Sequence, residues 1–495
     1  MGKTLKKHLS HETEKLFIVA AVLLSTAQTV CAQNQLVTYP APQGAELKND
    51  FTVKVRQPGG EWQTVATYSV KVDEVKETNH HVELASMSYF DFDGEVEVSV
   101  ISHKEETETA RIRPLSYDIK PQIDRNTLTF KISTPRNLSI EVNGDIFHNL
   151  HLFANQIDRN NPLKPGMNPK KLKKERNLIY FGPGIHQLPG DTLDIPSGKR
   201  VYIAGGARVL GSLCVKNANN VKIQGRGIVH PAGRGEGMYV MNSRNVEVEG
   251  IITTQCPVGG SDSVTITNVK AISSYGWGDG MNVFASNNVH YNGVFCRTSD
   301  DCTTVYATRK GFSGGCRNIT MQNSTLWADV AHPIFIGLHG DVNNCDVIEN
   351  VSYTNIDILD HKEKQIDYQG CLAINAGDNN LIRNVRFESI RIEDFRQGQL
   401  VTLRICFNKK YCTAPGRGIE NILFKDITYN GMNAEPSIIA GYNEERKIKN
   451  ICFENLCING EVISDDMPGK PKWYKTGDMA RFFIGEHVEG VTFVK

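Results

Sequence analysis

Apolar and polar positions alternate through the first third of the chain. Phe51, Val53 and Val55 have polar residues between them, as do Val96, Val98 and Val100, and Leu138, Ile140 and Val142. A period of two is the mark of half-buried strands. Pro58-Gly59-Gly60, Asp93-Gly94 and Asn143-Gly144 punctuate them with turn chemistry. Few windows carry a helical stripe. Residues 33–160 are therefore predicted to form a small antiparallel β-sandwich, read as a packing module for the second domain.

The pattern changes near Asn177. Short apolar strands closed by glycine appear, as in Asn177–Gly184 and Arg200–Gly206. A four-residue phrase then recurs: asparagine, apolar, any residue, apolar. It begins at Asn220, Asn245, Asn288, Asn318, Asn350, Asn384, Asn421 and Asn450. Successive starts lie 25 to 43 residues apart, and the longest interval holds a variant copy, Ser263-Val264-Thr265-Ile266. Such a period signals a solenoid. Second strands such as Ile356–Ile358 and Ile390–Ile392 follow the phrase without any helical stripe between. The leucine frame of leucine-rich repeats is missing, and propeller blades need longer units. Residues 177–495 are predicted to form a right-handed parallel β-helix with three short strands per coil. The asparagines suit a turn position with φ above zero, stacked as an amide ladder.

Composition adds compartment more than partner. Lys+Arg and Asp+Glu both number 55, so net charge points to neither a nucleic acid nor another charged partner. Residues 1–32 have the three parts of a secretory signal: Lys3, Lys6 and Lys7, the apolar run Leu16–Leu24, and Val30-Cys31-Ala32 before a cleavage site at Gln33. Val30 is bulkier than lipidation sites prefer at that place, which favours soluble export, periplasmic or extracellular, over an anchor at Cys31. No later segment reaches the ~18 apolar residues of a membrane span. Eleven of the 12 cysteines remain after cleavage, and no C-x-x-C occurs, so neither a disulfide framework nor a zinc site is expected. Cys406 and Cys412 come nearest to a loop-closing pair.

Chemistry concentrates in Gly278–Asp301. Asp279 follows Gly278, and Asp300 and Asp301 stand 21 and 22 residues later, about one compact coil away. Equivalent positions on stacked coils lie about 4.8 Å apart. Adjacent acids face opposite ways on a flat strand, so only a turn or bulge sends Asp300 and Asp301 into one groove. Crowded carboxylates repel, and one should keep its proton near neutral pH. A protonated acid beside ionised ones is the apparatus of glycoside hydrolysis.

These motifs resemble glycoside hydrolase family 28, the polygalacturonases, over roughly residues 177–460. Trp277-Gly278-Asp279-Gly280 is similar to that family's Asn-Thr-Asp-Gly, and Thr298-Ser299-Asp300-Asp301 to its Gly-Asp-Asp. Ala331-His332-Pro333 followed by Ile336-Gly337 resembles its Gly-His-Gly region, and Arg404-Ile405-Cys406 is similar to its Arg-Ile-Lys. The first domain, with Asn137–Asn155, looks more like the sandwich before family 49 dextranases. The resemblance implies Asp300 as general acid, with Asp279 and Asp301 holding and activating water in an inverting mechanism. It implies His332 orienting an acid or the sugar, His339 as a second histidine, Arg404 binding substrate and Trp277 stacking on a sugar face. It implies a polysaccharide or oligosaccharide substrate, no cofactor, no metal and a monomer. Arg404 stands one coil further along than the family's motif, and the span from Asp301 to His332 is longer, so a galacturonate substrate is not fixed. A dextranase-like α-glucan hydrolase, a calcium-dependent pectate-lyase-like enzyme and a non-catalytic glycan-binding β-helix stay open.

Overall fold

A computed structural model describes residues 35–495 apart from 77, 78, 165, 232, 234 and 275. The secretory segment, with Cys31 and Gln33, lies outside the described residues. Strands between Gln35 and Gln156 make two facing sheets. The first runs in the order Gln35–Thr38, Asn79–Asp93, Leu150–Gln156, Arg136–Val142, Ala110–Arg113, with Tyr68–Lys76 also paired to Asn79–Asp93. The second runs Gln63–Val65, Phe51–Arg56, Val96–Ser102, Thr127–Ile132, Gln122–Asp124. Alternation works as expected: Val53, Val55, Val98 and Val100 meet Phe90, Leu138, Ile140 and Leu152 between the sheets. The sandwich is not purely antiparallel, because Leu150–Gln156 pairs parallel to Asn79–Asp93. Those strands are far apart in sequence, so no hairpin constrains their direction.

From Leu178–Phe181 onward, one continuous set of strands coils as a right-handed parallel β-helix. Its register carries the repeat: Val246, Val264, Val289, Ile319, Val351, Val385, Ile422 and Ile451 are successive partners. All are buried. The fourth phrase position stacks in the same way. Tyr353, Phe387, Phe424, Phe453 and Phe493 form a column of near-parallel rings 4.7–5.7 Å apart. Each buried ring is worth about 2 kcal/mol or more of apolar burial, plus about 1 kcal/mol per stacked pair.

The eight phrase asparagines all have φ between 54° and 59°. Side-chain amides pass from one coil to the next, as in Asn318 to Asn288 (3.0 Å), Asn350 to Asn318 (3.2 Å) and Asn450 to Asn421 (3.0 Å). Where Ser263 replaces asparagine, Asn288 donates to Asp262 instead. A second ladder, Asn355 to Asn323 to Asn292, follows one turn further on.

The sandwich is seated on the flank of the helix. Tyr68, Val72, Met87, Tyr89 and Phe153 pack against Ile228, Ile252, Ile272 and Phe295. Buried ion pairs cross the same boundary, Arg226 to Asp91 (3.0 Å) and Arg113 to Glu393 (2.7 Å). Cys406 and Cys412 are free thiols, and the Cys412 thiol faces the Cys406 carbonyl at 3.7 Å. No described helix is long and apolar enough to cross a membrane.

Candidate active site

Two stacked turns bring the acids together. One joins strands Lys270–Ile272 and Met281–Phe284 and carries Asp279. The next joins Phe295–Thr298 and Thr303–Tyr306 and carries Asp300 and Asp301. The turns are sewn by backbone hydrogen bonds: Ser299 N–H to Gly278 O, Gly280 N–H to Asp301 O and Met281 N–H to Cys302 O, at 2.7–3.1 Å. Cys302 N–H reaches His332 O on the following coil. The closeness explains Gly280, where a Cβ would stand 2.4 Å from Cys302 O. The break in the strand at Ser299–Cys302 lets both Asp300 and Asp301 reach one cleft.

That cleft has a volume of about 810 Å³ and is lined by all three acids, with Trp277, Tyr306, His339, Glu363, Tyr368 and Tyr411. Asp300 is half-buried, and its Oδ1 accepts from Asp301 N–H (3.0 Å). Burial, then the charges of Asp301 and Asp279, hold its carboxyl well above the ordinary carboxylate range. Asp279 accepts from Asn282 Nδ2 (2.5 Å). Burial, then the Asp301 charge, pushes it up to about 7. Asp301 is buried and clamped on both oxygens. Tyr306 donates its hydroxyl to Oδ2 (3.0 Å), and His332 Nδ1 donates to Oδ1 (2.7 Å).

His332 is fully buried and does not line the cleft, so its contact is with Asp301 and it is not placed to meet a ligand there. Phe335 stacks on its ring at 4.3 Å and Tyr368 closes the edge at 4.5 Å. Its Nε2 faces the Tyr368 carbonyl. The Tyr368 carbonyl only accepts, so Nε2 carries a hydrogen, and Nδ1 carries the second when Asp301 is ionised. Burial opposes that charge, but Asp301 outweighs it and the His332 pKa is raised. His339 does line the cleft, edge-on to Tyr306 at 4.9 Å. Burial, then Arg309, depresses it to about 3, which leaves it neutral.

Trp277 is 61% exposed at the cleft wall, with a left-handed backbone at φ 68°. Core packing is not its role. Arg404 is not in the acid cleft. It lines a separate hollow of about 270 Å³ with Asp367, Phe407 and Tyr442. Register explains this: Val305, Ile336, Ile374 and Leu403 follow one another along the stack, which puts Leu403, and Arg404 beside it, three coils, or about 14 Å, beyond Val305.

Several cleft residues carry no motif. Arg309 and Lys310 come from the segment between strands Thr303–Tyr306 and Cys316–Ala328, and Arg309 leans on the Tyr306 ring at 5.1 Å. Lys362, Lys364 and Lys410 complete a basic rim. Tyr306 closes the strand Thr303–Tyr306 that follows the acid turn, and neither motif nor spacing singles it out in the sequence. Val75 and His80 arrive from the sandwich, with no signal in the sequence.

No family model matches the chain, and no curated protein matches it. Among solved structures, Dex49A from Penicillium minioluteum superposes with a TM-score of 0.58 at 13% identity, over 92% of this chain and 96% of that one. The family 28 exopolygalacturonase of Yersinia enterocolitica gives 0.47 at 11% identity, over 81% and 96%. The polygalacturonase of Erwinia carotovora ssp. carotovora gives 0.40 at 13% identity, over 57% and 83%. At such identities the likeness is one of fold. The Dex49A superposition carries it, extending through the sandwich as well as the helix.

Proposed function

We propose that this protein is an exported glycoside hydrolase that cleaves α-glycosidic bonds of a polysaccharide with inversion, using three aspartates. The observation that carries the reading is the convergence of Asp279, Asp300 and Asp301 from two stacked turns into one cleft, where Asp279 and Asp300 are both held above the ordinary carboxylate range. Asp300, held protonated, donates to the leaving glycosidic oxygen. Asp301, fixed by Tyr306 and the charged His332, and Asp279, once ionised, hold and deprotonate the attacking water. The proton spent by Asp300 is replaced by the one that the water loses. Trp277 supplies a stacking face for a sugar.

Charge at the rim favours a polygalacturonase-like substrate. Arg309, Lys310, Lys362, Lys364 and Lys410 face Asp279, Asp300, Asp301 and Glu363, and Asp300 is neutral at working pH. A positive excess draws a chain bearing carboxylates more than a neutral glucan. A dextranase-like α-glucan hydrolase is the alternative. Purified uronans and α-glucans should be screened together for new reducing ends, with and without chelator. Release from a uronan that persists in chelator is expected. An unsaturated, ultraviolet-absorbing product would instead show a lyase, and no release from any polymer would refute hydrolysis. Inversion is read from the anomer first seen by NMR. Export is read from the mature N-terminus, expected at Gln33.

A further inference from the structure

Hydrolysis by three aspartates gives the sandwich no part, yet one of its hairpins reaches the cleft. Strands Tyr68–Lys76 and Asn79–Asp93 pair so that Val75 stands opposite His80, and both line the cleft beside Trp277. We infer that this hairpin builds a sugar-binding subsite, in which His80 hydrogen-bonds a hydroxyl of a pyranose unit stacked on Trp277. The subsite rests on the glycosidase reading and adds to it a second domain and a residue with no motif.

His80 is fixed for such a contact. Its Nδ1 donates to Asp73 Oδ2 (2.5 Å), which leaves Nε2 as the ring's other polar edge. The Trp277 and His80 rings lie 5.4 Å apart at 58°, forming an open corner of one flat apolar face and one polar edge. A pyranose presents the matching pair, a C–H face and equatorial hydroxyls. A large aromatic side chain, mostly exposed on a left-handed backbone, is strained without a packing reward, and such strain collects at ligand contacts.

The corner is anchored to the acid turns. Gly276 N–H donates to Asp73 Oδ2 (3.3 Å), so one buried carboxylate holds both His80 and the turn that presents Trp277. Asp73 N–H reaches Asp329 (3.4 Å), and Asp329 is paired with Arg297 (2.9 Å), three residues before Asp300. Lys362 Nζ donates to Val75 O (2.8 Å) and pins the strand of Asp73 at a second point. Asp73 is thus a positioning residue, and His80 the one that meets the sugar.

Full-length protein carrying Asp300→Asn, with and without His80→Ala or Val75→Arg, is titrated calorimetrically with oligogalacturonides and with isomalto-oligosaccharides of two to six units. His80→Ala removes the contact. Val75→Arg obstructs the corner while keeping both Asp73 and His80, so the test survives if the histidine variant misfolds. Affinity for the longer members of the bound series is expected to fall about tenfold or more. Affinity for the shortest should change less than twofold, and with Asp300 restored the product lengths should shift. Equal affinities and unchanged products in both variants would overturn the subsite. Failure of the parent to bind either series would overturn the glycosidase reading, and the subsite with it.

Discussion

Three aspartates of the same chemistry are set apart by their neighbours. Asp301 has a donor on each oxygen, Asp279 has one amide, and Asp300 has one backbone N–H and two nearby negative charges. Asp279, pushed to about 7, must lose its proton before it can help the water. The pH profile of kcat/KM is therefore expected to rise through about pH 7 and to fall at higher pH as Asp300 ionises. A rising limb unmoved by Asp279→Asn would remove Asp279 from the mechanism. Stability supplies an independent readout. The folded protein holds protons on Asp279 and Asp300 that the unfolded chain releases above about pH 4, so both acids cost stability as pH rises from there. Asp300→Asn should raise the melting midpoint at pH 7–8 by roughly 2–4 °C, and should lose that advantage near pH 4. Tyr306→Phe leaves Asp301 Oδ2 without its donor. It should lower kcat by ~10–100-fold with little change in KM, a split that damage to a sugar contact would not produce.

At the scale of the element, the coil is set by turns. Asn350→Gly keeps the left-handed backbone at φ 57° but loses the ladder bonds, whereas Asn350→Ala loses both. The alanine variant is expected to be less stable than the glycine variant by about 1 kcal/mol in chemical denaturation. Equal stabilities would mean that φ does not matter there. Gly280→Ala drives a methyl against Cys302 O and should separate the two acid turns, with activity falling at least ~10-fold while the fold persists. This scale is also the most legible in the sequence. The asparagine phrase states a local conformation and a period together, and the acids sit in turns of that same period. The second ladder through Asn292, Asn323 and Asn355 is hidden, because its spacing from the first varies with the strand between them. Motif matching puts Arg404 in the acid site because a motif records residue types and not how many coils intervene.

At the scale of the molecule, the sandwich is legible as strands but not as a wall of the cleft. Asp73 and Gly276 are 203 residues apart, and a contact at that separation leaves no periodic trace in either segment. The same holds for Lys362 and Val75. What the whole chain adds to the β-helix is therefore Val75 and His80 in the lining of the cleft that holds the acids. The most direct test of the central assignment is the rate of Asp300→Asn on the natural polysaccharide and on a glycoside with an activated leaving group. Turnover of the polysaccharide should fall by ~10²–10⁴-fold, and turnover of the activated glycoside far less, because its leaving oxygen needs little protonation. Near-parental turnover of the polysaccharide by Asp300→Asn would show that Asp300 is not the acid.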